Sequence, residues 1–257
     1  RFIRTVHGFG YAFGGEAHDT DGLGTITRSS REAREPSPYP GLSSFTEADA
    51  ARFFGREAEV EALLERIRRQ KLLVVIGPSG VGKTSFVRAG VVASCPPEWG
   101  ALVMTPGTRP FAALAQGLAR EPLADAESLD ELFRAAADQA PEMLRAVSRW
   151  RRKHGEALLV VDQFEELFTQ TPRESQERFA RLLGAIAGDG DVCIVLSMRD
   201  DLLFRCLDHD ALLPFFEGMA PLRTPSHGAL LRAVREPALK EGYAFEDGGL
   251  AEEMVQA

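Results

Sequence analysis

The sequence predicts an α/β fold, a parallel β-sheet flanked on both faces by helices. Three observations carry this expectation. A five-residue apolar run, Leu72–Ile76, meets the glycine-rich stretch Gly77-Pro-Ser-Gly-Val-Gly-Lys-Thr-Ser85, and a helical pattern through Phe86, Val87 and Ala89 follows. A second apolar run, Leu158–Val161, ends in an acid, Asp162. Short apolar runs then alternate with amphipathic stretches along the chain, the pattern of strands joined by crossover helices.

The glycine-rich stretch fits G-x-x-x-x-G-K-[ST] between a strand and a helix, the context in which that spacing cradles phosphate. Its glycines let the loop of Gly77, Pro78, Ser79, Gly80, Val81 and Gly82 turn its backbone N–H groups around a phosphate, and the helix start adds its dipole. Pro78 itself supplies a fixed turn and no N–H. Lys83 is placed for β- and γ-phosphates, Thr84 for Mg²⁺, and Ser85 for a further hydrogen bond. ATP or ADP with Mg²⁺ is the expected cofactor.

Bulk properties set limits on the rest. With 257 residues the chain can form one large domain with fragments of others, and its hydrophobic content of 44% is ordinary for a globular protein. Thirty Lys and Arg oppose 38 Asp and Glu, a formal charge of −8, so no broad electrostatic footprint for nucleic acid exists. Cys95, Cys193 and Cys206 form no C-x-x-C pair; free thiols fit a reducing cytoplasm. The longest apolar run is five residues, against roughly 20 for a bilayer span, so no membrane helix is expected. Arg1 opens the chain and Ala257 falls in a helical pattern, so a segment of a longer polypeptide is expected.

Taken in order, Phe2–Val6 and Phe9–Phe13 flank His7-Gly8 as a hairpin whose further partner is expected outside the chain. Gly14 to Pro38 is rich in Gly, Ser, Thr, charged residues and Pro, the composition of a linker. Thr46 and Ala48–Ala51 suggest a short helix. Phe53-Phe-Gly-Arg-Glu57 leads into a helix with Val60, Leu63, Leu64 and Ile67 on one face.

After the phosphate loop, Ala101–Thr105 is a second strand. Helical patterns follow at Phe111–Leu118, at Ser128–Phe133 with a capping box, and from Pro141 to just before Gly155. The last ends in Arg149, Arg151, Arg152 and Lys153, read as a solvated helix end favoured by the dipole. Asp162 closes the next strand, where a carboxylate can hold Mg²⁺ through water. Residue 163 is Gln, and acids come later, at Glu165 and Glu166. Glu165 is the first candidate for general base and Glu166 the second, if the chain turns sharply after Asp162. Thr171, Pro172 and Glu174 read as a capping box opening a helix that ends at Gly188. Val192–Leu196 is a strand leading to Ser197-Met-Arg-Asp-Asp201, which carries Arg199 to the phosphate edge of the sheet. A short strand near Met219–Leu222 and a helix from Ser226 to about Arg235 complete the reading.

Together, F-F-G-R-E, G-P-S-G-V-G-K-T-S, V-V-D-Q-F-E-E-L-F and S-M-R-D-D resemble the novel STAND NTPases, AAA-like P-loop proteins near the NACHT and AP-ATPases. The resemblance runs from about Pro38 to the C-terminus. It implies that Phe54, Gly55 and Arg56 line the adenine pocket, that Arg199 reads the γ-phosphate, and that Pro237 stands in a helical lid. It further implies an ATPase switch that self-associates with ATP bound and is released by a C-terminal sensor absent from this chain. Separately, I-R-T-V-x-G-x-G-Y-x-F is similar to the wing of response-regulator winged-helix domains, which would confine DNA contact to a missing N-terminal domain. The expected divisions are a wing remnant at 1–13, a linker at 14–38, the NTPase domain at 39–225 and the start of a lid at 226–257. A nucleotide-binding scaffold without hydrolysis, and a P-loop kinase or motor ATPase, remain the other readings.

Overall fold

The computed structural model describes residues 2–6, 10–14, 37–41, 43–120 and 140–256, the first two stretches as backbone only. The expected Ser128–Phe133 helix, most of the linker and the His7-Gly8 turn lie outside the described residues. The strands are β1 (Phe2–Val6), β2 (Gly10–Gly14), β3 (Leu72–Gly77), β4 (Trp99–Met104), β5 (Glu156–Val161), β6 (Cys193–Arg199), β7 (Met219–Pro221) and β8 (Ala244–Phe245). The α-helices are α1 (Glu57–Ile67), α2 (Lys83–Ser85), α3 (Pro110–Ala119), α4 (Ala140–Arg151), α5 (Glu166–Gln170), α6 (Arg173–Gly188), α7 (His227–Lys240) and α8 (Leu250–Gln256). Two compact units result, one of Phe45–Ala50 and Glu57–Thr224, the other of Arg1–Ser44, Ala51–Arg56 and Pro225–Ala257.

In the larger unit five parallel strands stand in the order β4-β5-β6-β3-β7. The apolar runs of β3, β5 and β6 are largely buried on both faces, as a parallel sheet covered by helices requires. Strand β4 is buried at every second residue, and edge strand β7 is mostly exposed. One core joins Val74, Leu159, Val161, Ile194 and Leu196 to Phe111 of α3, Met143 of α4, and Phe179 and Leu183 of α6. Phe111 meets Phe179 edge to face at 5.5 Å. Successive residues of a strand alternate between faces, so Leu73, Val75 and Ser197 belong to the other side. Helix α1 buries Val60, Leu63 and Ile67 as its periodicity predicts, while Leu64 is half-buried.

The helix after the phosphate loop is not a uniform α-helix. Three α-helical residues pass into a π-helix, Phe86–Val91, and then a 3₁₀ turn, Val92–Ser94. After β6, two 3₁₀ helices that the sequence reading leaves unassigned, Asp200–Asp208 and Asp210–Gly218, bring the chain back to β7. Pro214 interrupts the second.

Thr171 does not cap α6. Its hydroxyl donates to the Gly107 carbonyl at 2.8 Å, Pro172 takes the cap position, and the Thr171 carbonyl accepts from the Gln176 side chain. A buried hydroxyl beside a free carbonyl satisfies that carbonyl and leaves the helix end to Gln176. At the end of α4, Arg151 is a fixed anchor, not a solvated cation. It donates to the carbonyls of His154, Gly155 and Asp191 and pairs with the Asp191 carboxylate at 2.9 Å.

In the smaller unit, β1 and β2 form the expected antiparallel hairpin, with Ile3 opposite Phe13. Its further partner lies within the chain: β8 pairs parallel with β1, Phe2 opposite Ala244. Ser226 caps α7 by accepting from the Ala229 N–H. The helix then continues through Pro237 to Lys240, beyond the expected end at Arg235. Proline removes the N–H that would otherwise bond the Ala233 carbonyl; separately, the Tyr39 hydroxyl donates to the Val234 carbonyl. Burial pushes the Tyr39 hydroxyl pKa up to about 12. Among the described residues no helix is long and apolar enough to cross a membrane, and all three cysteines are free.

Candidate functional site

The phosphate loop follows β3 directly. Pro78, Ser79, Gly80 and Gly82 are exposed and Val81 is half-buried. Gly80 and Gly82 hold φ values of 79° and 89°, a left-handed backbone that a side chain would strain. Lys83 opens α2, and its ammonium folds back to donate to the Gly77 and Pro78 carbonyls, both at 2.8 Å. Thr84 is half-buried at the first helical turn. Ser85 accepts a hydrogen bond from the Phe45 N–H at 3.1 Å and keeps its own hydroxyl proton to donate.

The order of strands determines what meets this loop. Strand β6 lies between β3 and β5. Its last residue, Arg199, is the register partner of Gly77, and Ser197 is the partner of Val75. On its other side Leu196 pairs with Val161, so Ser197 and Asp162 stand next in step. After Asp162 the chain turns sharply through Gln163, whose φ of 51° is left-handed. The Phe164 N–H then donates to the Ser197 carbonyl at 2.8 Å, locking the turn to β6.

That turn settles where the acids fall. Gln163 is exposed, whereas Glu165 is half-buried, with the Arg199 backbone acting to lower its pKa. Burial is the main cause that raises the Glu165 pKa; Lys83 opposes it and Asp162 adds to it. The Lys83 pKa is lowered, first by burial, while Glu165, Asp200 and Asp162 act against the shift. Lys83, Asp162, Glu165, Asp200 and Arg199 thus share one electrostatic neighbourhood. Glu166, the second candidate base, begins α5 and is half-buried. Arg199 is half-buried and forms a two-pronged pair with Asp201, Nε to Oδ1 at 2.9 Å and one terminal nitrogen to Oδ2 at 2.7 Å. This hydrogen bond holds the Asp201 pKa below its ordinary value.

Three buried oxygens at these strand ends have no hydrogen-bond partner among the described residues: Asp162 Oδ1, Glu165 Oε2 and Ser197 Oγ. Asp162 is 3% exposed and Ser197 1%. Buried oxygens are nearly always paired, so a group of three beside a phosphate loop suits a hydrated cation and a polarised water. No cluster of three His, Cys, Asp or Glu side chains arranged for a metal occurs among the described residues. A cation completed by phosphate oxygens, a threonine hydroxyl and water does not require one. The residues present therefore fit Mg²⁺ bound with a nucleotide.

Phe54, Gly55, Arg56 and Pro237 belong to the smaller unit. Phe54 lies under the Lys240 ammonium at 5.9 Å, and Arg56 is buried. Gly55 has φ 88°, and a Cβ there would come within 2.4 Å of the Ala229 carbonyl oxygen. Only glycine fits that approach. Sequence reading missed Ser197 and Asp201 as members of the site; the signal was a lone hydroxyl in an apolar strand and an acid two residues beyond Arg199.

A parallel sheet, a phosphate loop with its lysine, and an acid at the end of a neighbouring strand define a P-loop NTPase. The family model described as Novel STAND NTPase 1 matches residues 38–257, and the chain belongs to that family. Solved structures agree on the fold. The Walker-type ATPase PABY2304 of Pyrococcus abyssi aligns at 14% identity over 82% of this chain and 64% of its own length, with a TM-score of 0.61. The ORC2 protein of Aeropyrum pernix, solved in ADPNP–ADP complexes, aligns at 15% identity over 72% and 51%, with a TM-score of 0.51. AMPPCP-bound DnaA from Aquifex aeolicus aligns at 13% identity over 82% and 59%, with a TM-score of 0.50. The chain spans between about half and two-thirds of the length of these proteins. No curated protein matches it.

Proposed function

We propose that this chain is the nucleotide module of a signal-transducing switch that binds ATP or ADP with Mg²⁺ and hydrolyses ATP slowly. The observation that carries the reading is the convergence of Lys83, Asp162, Glu165 and Arg199 on one sheet edge. The backbone N–H groups of the phosphate loop and the Lys83 ammonium take the phosphates. Thr84 and Asp162 hold Mg²⁺, which when bound offsets charge on the phosphate oxygens. Glu165 orients the attacking water and accepts its proton, forming one O–P bond as the bond to the β-phosphate oxygen breaks. Arg199 exchanges its Asp201 partner for the γ-phosphate, which gives ATP a free-energy difference from ADP; without such a difference no conformation can shift.

The family pattern supports Phe54, Gly55, Arg56 and Pro237 as contacts to the nucleotide, and self-association of the ATP form. The segment 1–13 is the remnant of a winged-helix DNA-binding head, and the parent protein a cytoplasmic transcriptional regulator governed by a C-terminal sensor. Gln163, where many P-loop ATPases place the catalytic acid, favours a second reading as a scaffold that binds nucleotide without hydrolysis.

Hydrogen exchange tests the switch. ADP and a non-hydrolysable ATP analogue should give different amide protection in Ser197–Asp201, and Arg199→Ala should remove the difference while ADP still binds. Identical protection with both nucleotides in the unmodified chain would refute the switch.

A further inference from the structure

We infer that Ser197 is a positioning residue for the divalent cation, acting through Asp162. This deepens the proposed nucleotide site and rests on that reading. Three observations meet here. Ser197 Oγ and Asp162 Oδ1 are both buried and both lack a partner among the described residues. The two residues stand side by side, one step beyond the register pair Val161–Leu196. Parallel neighbours in step present their side chains to the same face, on strands about 4.8 Å apart, within reach of one shared ligand.

The backbone around Ser197 is already engaged. Its carbonyl accepts from the Phe164 N–H, the bond that fixes the turn after Asp162. Only the hydroxyl is left, and a hydroxyl offers one donor and two acceptor sites. An Ala of nearly the same volume would fill this strand position without leaving a polar atom unmet. Asp162 is a carboxylate and can only accept, so a donor beside it is the complement it requires. By donating to Asp162, or to a cation-bound water that Asp162 also holds, Ser197 fixes which carboxylate lone pairs face the cation. Outer-sphere partners of this kind orient the groups that hold a metal, and their loss typically weakens metal binding by about 10–100-fold.

The test titrates Mg²⁺ against the full chain and a fluorescent non-hydrolysable ATP analogue. Ser197→Ala should require about tenfold more Mg²⁺ for half-maximal enhancement of nucleotide binding, while affinity measured in EDTA stays that of wild type. Ser197→Thr keeps the hydroxyl and should return the midpoint to within about threefold of wild type. Thermal melting reports whether each variant folds; if Ser197→Ala does not, Ser197→Cys, with its weak donor, replaces it in the same titration. An unchanged Mg²⁺ midpoint in the folded hydroxyl-free variant would overturn the assignment. A loss of affinity of equal size in EDTA would also overturn it, since the serine would then act on the nucleotide. If the wild-type chain binds no nucleotide at any Mg²⁺ concentration, the nucleotide site itself fails, and the serine assignment with it.

Discussion

The two halves of the site carry opposite charge and are settled in opposite ways. On the phosphate-loop side the Lys83 ammonium already has two carbonyl acceptors, at 2.8 Å each. On the side of β5 and β6, Asp162, Glu165 and Ser197 each keep a buried oxygen that no group among the described residues meets. The basic half is therefore self-satisfied, and a phosphate must compete with the loop's own carbonyls for the lysine. The acidic half is held ready for ligands that the protein does not supply. The difference assigns affinity mainly to the loop, and discrimination and chemistry mainly to the strand ends.

The largest effect should come from the acidic half. Glu165→Gln is expected to bind ATP as wild type does yet hydrolyse it at least about a hundredfold more slowly, measured by phosphate release. Glu166→Gln should slow it much less. The reverse ranking would move the chemistry to the start of α5, and no loss from either would favour the non-hydrolysing scaffold. On the basic half, Lys83→Ala should weaken ATP binding by about tenfold, measured by calorimetry. A charge-assisted hydrogen bond is worth about 1.5–3 kcal/mol, and the two carbonyl bonds that the lysine gives up offset part of it. Unchanged affinity in the folded variant would break the comparison, because the loop would then hold phosphate without its cation.

The smallest effect concerns stability. Burial raises the Glu165 pKa, so the folded protein binds that proton more tightly than the unfolded chain. Stability from this group is then present at low pH and is lost as pH rises through the folded-state value. Glu165→Gln removes the buried charge and should raise the melting temperature of the nucleotide-free chain by about 2 °C at neutral pH. The gap should close as pH falls toward about 4, where free glutamate is half protonated. A gap that stays constant with pH would mean that Glu165 is solvated like a surface acid.

Strands β3, β5 and β6 were legible because buried parallel strands read as unbroken apolar runs bounded by turn residues. The phosphate loop was legible because its chemistry needs fixed residue types at fixed spacing. Strand order was not. Nothing local in Val192–Leu196 says that it inserts between the Leu72 and Leu158 strands, and that insertion is what places Ser197 beside Asp162 and Arg199 beside Gly77. The π-helix after Ser85 escaped because its residues suit an α-helix equally well, so packing selects the form. Thr171 and Pro237 misled for a shared reason. Each follows a strong local rule for helix ends; for Thr171 a distant partner, the Gly107 carbonyl, takes the hydroxyl instead, and α7 simply runs through Pro237 to Lys240.

Ser197 and Arg199 are two residues apart on one strand, so they point to the same face and move as one piece. A strand can be shifted along its neighbours without turning its side chains over only in steps of two. The interval between these residues is thus a more rigid requirement than the identity of either. A single residue gained or lost between Leu196 and Arg199 would send the hydroxyl or the guanidinium to the opposite side of the sheet. Within this short stretch, length variation is costlier than substitution.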